Sequence, residues 1–87
     1  MKFAYLFWLA FSALKLAKKA GADRALLNRA KKALAKCEPG VTEANLWASL
    51  SDACLDLNAA LIHAKGQQAD AAREYLRIVR RAMVTMW

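Results

Sequence analysis

Strong helix breakers occur at only three places in this 87-residue chain: Gly21, the Glu38-Pro39-Gly40 run, and Gly66. Proline lacks the backbone N–H and locks φ, while glycine loses the most backbone freedom on ordering, so these positions are where a helix must stop. Three interruptions leave four segments. Between them alanine and leucine abound and β-branched residues are scarce, so the apolar spacing reads against a helical template almost throughout. The first segment runs from about Lys2 to Ala20. The second opens near Asp23, an N-cap type, and ends before Glu38-Pro39-Gly40. The third opens at Thr42, another N-cap type, and runs to Lys65. The fourth covers about Gln68 to Thr85, with Asp70 in its first turn and Arg80 and Arg81 toward its end, where both signs suit the helix dipole. The expected fold is all-α, a four-helix bundle or two stacked helical hairpins. Residues 1–87 are read as a single helical domain, with one hairpin over about 2–38 and a second over about 42–86.

Composition excludes several classes. A 59% hydrophobic and 24% charged chain with one proline is neither disordered nor collagen-like, and it is too short for a multidomain enzyme. At this length one core is feasible but thin, and self-association is a common supplement. The uncharged run from Phe3 to Leu14 is too short to span a membrane, which takes about 20 apolar residues. It matches the apolar stretch of a signal peptide, with Ala10-Phe11-Ser12 as a small-residue cleavage site. However, it continues at helical spacing into Lys15, Leu16, Lys18 and Lys19, and is read here as helix. Cys37 and Cys54 lack CxxC spacing. They are read as free thiols of a cytoplasmic protein, with a disulfide between the second and third helices as the alternative.

At 100° per residue the second helix is two-sided. Leu26, Leu27, Ala30, Ala33, Leu34 and Cys37 form one stripe, and Arg24, Arg29, Lys31, Lys32 and Lys36 lie opposite. The fourth helix repeats the plan, with Ala72, Tyr75, Leu76, Val79, Ala82, Met83 and Met86 inward and Arg73, Arg77, Arg80 and Arg81 outward. The first and third helices carry more apolar surface than one core absorbs. Leu6, Leu9, Ala13, Leu16, Ala17 and Ala20 gather on one side of the first helix. Phe7, Trp8 and Phe11 fall on another side that leads into Lys15, Lys18 and Lys19. The third helix has a main stripe of Leu46, Leu50, Ala53, Cys54, Leu57, Leu61 and Ala64, and a second of Ala48, Leu55, Ala59 and Ile62. Such surplus fits either a well-packed monomer or a homodimer built on the second stripe or on the aromatic strip.

The net charge of +7 is unevenly spread. From Lys15 to Lys36 eight cations stand against Asp23 alone, whereas Glu38 to Asp70 holds five carboxylates and one lysine. A basic first half of this kind suits a polyanion, an acidic protein or an anionic membrane surface. For chemistry the chain offers little. His63 is the only histidine and shares a polar face with Asn45, Asp52 and Asp56, short of the three or four converging ligands a metal needs. The two aspartates, one turn apart, are expected to pair with a basic side chain of a neighbouring helix or partner. No phosphate-binding glycine loop or nucleophile elbow is present. No enzyme activity, cofactor or metal is therefore expected.

The expected function is binding: an adaptor, inhibitor or regulatory subunit of the size common among phage and mobile-element modulators. Its contact surface would be Phe7, Trp8 and Phe11 rimmed by Lys15, Lys18, Arg24 and Arg29, meeting an acidic protein. The alternative is a nucleic-acid module using Lys31, Lys32, Lys36, Arg73, Arg77, Arg80 and Arg81. Around Gly21, alanine, turn glycine, then inward Leu27 and Ala30 resemble a helix-turn-helix. That resemblance implies Asn28 and Arg29 near bases and Arg24, Lys32 and Lys36 near phosphates. A third, less favoured placement lays the first helix in a membrane interface.

Overall fold

The computed structural model describes residues 3–86, apart from the side chain of Met86. The expectations for Lys2 and for an inward Met86 lie outside the described residues. Four helices follow one another: α1 (Phe3–Lys19), α2 (Arg24–Ala35), α3 (Glu43–Ala60) and α4 (Gln67–Met86). Among the described residues there is no strand, and the protein is an all-α four-helix bundle.

At three boundaries the cause is local. At the end of α1, the N–H of Ala22 donates to the Ala17 carbonyl at 3.1 Å and that of Gly21 to the Lys18 carbonyl at 3.2 Å. This is the crossed pair of a Schellman stop. It places Gly21 at φ 75°, a left-handed backbone that side chains disfavour. Asp23 caps α2, its Oδ1 accepting from the Leu26 N–H at 3.1 Å, and Thr42 caps α3, its Oγ1 accepting from the Asn45 N–H at 3.3 Å. α3 stops at Ala60, five residues before the expected Lys65. Beyond it the chain turns, and the guanidinium of Arg73 on α4 donates to the carbonyls of Leu61, at 2.7 Å, and Ala64. Carbonyls that a longer helix would bond to its own N–H groups are held sideways by another helix.

Packing is most extensive between α2 and α3 and between α1 and α4. The consecutive pairs joined by single-glycine turns, α1 with α2 and α3 with α4, share much less surface, and α2 makes no packing contact with α4 among the described residues. The bundle therefore sets α2 and α4 on separate flanks. Its core draws on all four helices, and among the described residues nine of the twenty buried apolar ones are alanines, including Ala10, Ala13, Ala17, Ala30 and Ala72. Small side chains let helices approach closely, but they leave little room inside for large ones. The main stripes expected for α2, α3 and α4 face this core, with Leu26, Cys37, Leu46, Tyr75, Ala82 and Met83 at its margin. Trp47, given no role from sequence, is buried; it meets Phe3 edge-on at 5.0 Å between ring centres and donates its indole N–H to Glu43 at 3.5 Å.

Candidate functional site

An alanine-rich core has a counterpart outside. The large apolar side chains left exposed include Tyr5, Trp8 and Phe11 on α1, Leu55 on α3, Ile62 in the turn after it, and Val84 on α4. The α1 group is the densest. Helical spacing of three and four residues sets its rings in two adjoining rows. In one, Trp8 stacks on Tyr5 at 6.5 Å and reaches Tyr75 of α4 at 6.3 Å. In the other, Phe7 stacks on Phe11 at 6.3 Å, and the Lys15 ammonium lies 4.8 Å from the centre of the Phe11 ring. Such a cation–π contact keeps the charge beside the ring instead of extended into water. Trp8 is 55% exposed, a high value for the bulkiest side chain of the set, and Phe7 is half-buried at the strip's inner edge.

The expected rim divides. Lys15, Lys18 and Lys19 continue the exposed face of α1, and Arg24 is exposed at the start of α2. Arg29 instead belongs to the α2–α3 groove, its Nη2 3.9 Å from Asp56 Oδ1. This is the cross-helix partner anticipated for the aspartates. Tyr5 lies outside the strip expected from sequence, and Tyr75, expected inward and packed at the core's margin, also reaches the strip. The spacing from Tyr5 to Trp8 was a readable signal, whereas the approach of Tyr75 depends on how α4 lies against α1.

The expected polyanion residues do not form one surface. Lys31, Lys32 and Lys36 are exposed along α2, and Arg77, Arg80 and Arg81 along α4, on flanks that do not touch among the described residues. Arg73 is withdrawn from any such surface by its two carbonyl bonds and its 2.9 Å ion pair with Asp70, and Arg77 pairs with Glu74 at 3.5 Å. Between α2 and α3 runs a shallow groove of about 430 Å³, lined by Arg29, Lys32, Lys36, Asp52, Leu55 and Asp56. A second, of about 490 Å³, continues past Lys36 and Asp52 toward Glu38 and Asn45.

Both thiols are free. Burial alone raises the pKa of Cys37 and pushes that of Cys54 up to about 12, so neither is disposed to form thiolate. His63 is exposed, and among the described residues no three His, Cys, Asp or Glu converge as metal ligands would. No described helix is long and apolar enough to cross a membrane. Comparison with protein-family models, with curated proteins and with solved structures finds no match to this chain.

Proposed function

We propose that this protein acts by binding, as a small cytoplasmic adaptor, inhibitor or regulatory subunit that docks an acidic protein on the outward face of α1. The observation that carries the reading is the exposed aromatic group Tyr5, Trp8 and Phe11, joined by Tyr75 and continuous with Lys15, Lys18 and Lys19. Exposed aromatic surface of this extent is unfavourable in water and favourable once covered, and rings bordered by charge are the usual plan of a protein-binding patch. α1 contains no carboxylate, so a partner must bring its own acids to match the lysines. The test is affinity capture from native lysate, with and without nuclease, using the wild type and Trp8→Ala with Phe11→Ala. The expected result is a nuclease-resistant acidic protein, lost with the double variant while circular dichroism stays helical. Retention of that protein by the double variant, or collapse of helicity, would overturn the reading.

A second reading rests on α2, where Arg24, Lys31, Lys32 and Lys36 are exposed. Under it α2 alone tracks a nucleic-acid backbone, since α4 lies on another flank. Affinity for duplex DNA or RNA should then fall steeply with salt, and neutralising Lys31, Lys32 and Lys36 should reduce the logarithmic salt slope by roughly 1 per lost contact. Absence of binding at low salt removes it.

A further inference from the structure

On the side of α3 turned from the core, Ala48, Leu55 and Ile62 recur at seven-residue intervals, and Leu55 and Ile62 are 66% and 69% exposed. Seven residues are nearly two helical turns, so the three side chains form one row running on into the turn after α3. Beside this row lies the groove with Arg29, Lys32 and Lys36 from α2 and Asp52 and Asp56 from α3. We propose that this face is the seam of a homodimer, with α3 antiparallel to α3 of a second copy about a two-fold axis at Leu55.

Self-complementarity is what a two-fold axis demands. An antiparallel pairing matches residues equally distant from Leu55 on either side. Leu55 meets the partner's Leu55, and Ala48 meets the partner's Ile62, so small opposes large at both ends of the row. A parallel pairing would crowd Ile62 on Ile62 and leave a gap between two Ala48 residues. Charge agrees with the antiparallel choice. The axis keeps the two α2 helices on the same side of the seam and reverses the order of charges along the groove. Asp52 lies on one side of Leu55 and the Arg29–Asp56 pair on the other, so each Asp52 is carried toward the partner's Arg29. The aromatic face of α1 lacks this property, because it carries lysines and no carboxylate, and a second copy there would meet like charge.

Size sets the strength. A helix of 18 residues is about 27 Å long and about 10 Å wide, roughly a third of the about 800 Å² per partner that a stable interface buries. A seam of that size implies a weak dimer. Sedimentation equilibrium from about 1 µM to about 1 mM should show a monomer passing to a dimer. Leu55→Asp should weaken association at least about 100-fold, since each dimer buries two copies of the side chain, with helicity unchanged because Leu55 is exposed in the monomer. Trp8→Ala should leave dimerisation intact, which separates this seam from the aromatic docking face. Under oxidation, Leu55→Cys should cross-link to itself, whereas Ala48→Cys should cross-link to Ile62→Cys and not to itself. A monomer throughout the range, an undiminished dimer of Leu55→Asp, or self-linking of Ala48→Cys would overturn the proposal.

Discussion

Arg73 shows how far one side chain can depart from its place in a pattern. By helical angle it belongs with Arg77 and Arg80 on an outward basic face, and that face was readable from spacing. Its guanidinium instead bonds the carbonyls of Leu61 and Ala64 and the carboxylate of Asp70, tying α4 to the end of α3. A side chain with five donors in a fixed fork serves several acceptors at once, as lysine cannot. Arg73→Lys should recover little of the loss caused by Arg73→Ala, which is expected to destabilise by about 1–3 kcal/mol in urea denaturation. Cys54 carries a pH signature. Burial raises its thiol from the ordinary 9.0 to about 12, so the folded chain keeps the neutral thiol where the unfolded chain ionises. The resulting stability is fully present below about pH 9 and is lost as pH rises toward 12, by up to about 1.4 kcal/mol per unit. The stability difference between wild type and Cys54→Ala should therefore shrink by about 1 kcal/mol between pH 8 and pH 10.

At the scale of elements, starts were more legible than ends. Asp23 and Thr42 cap the helices that their sequence positions imply, because an N-cap is a contact within four residues. Replacing either with alanine should cost about 1 kcal/mol, visible as a drop of roughly 4–8 °C in Tm. Gly21→Ala should cost a similar amount by forcing a side chain into the left-handed backbone at φ 75°. The early end of α3 was not legible, since the carbonyls of the turn that follows it are taken by Arg73 of α4. Trp47 was partly legible. Trp47, Leu50, Cys54, Leu57 and Leu61 follow the three-and-four spacing of a buried stripe, but the ring's place against Phe3 is a contact between helices remote in sequence. Trp47→Ala should lower stability by about 3–5 kcal/mol, while exposed Trp8→Ala should barely change it. Thermal unfolding followed by circular dichroism compares the two directly.

Across the whole molecule, helix pairing decides what the charges can do. A +7 chain with basic second and fourth helices invites a single polyanion surface, yet α2 and α4 share no contact among the described residues, so any backbone-tracking stripe must use one flank at a time. Neutralising Arg77, Arg80 and Arg81 should accordingly leave the nucleic-acid affinity of an α2-bound complex nearly unchanged, while neutralising Lys31, Lys32 and Lys36 lowers it. Titration at two salt concentrations distinguishes the flanks. Asp52 and Asp56 of α3 are likewise not a free surface: Asp56 is taken by Arg29, and Asp52 lies in the same groove as Lys32 and Lys36.

By itself the sequence determined that this chain is four helices, where three of the four begin, and which stripe of each turns inward, since caps, breakers and 3.6-residue periodicity are all local. It also contained the surplus: aromatic residues on α1 and a second apolar row on α3 that an alanine-rich core has no room for. Only the tertiary structure decided that α2 pairs with α3 and α1 with α4, that Tyr75 joins the aromatic face, and that Arg73 is a tie between helices. Those outcomes depend on which elements, distant in the chain, come to share a surface. Close approach of small side chains settles that, and no spacing within a single helix records it.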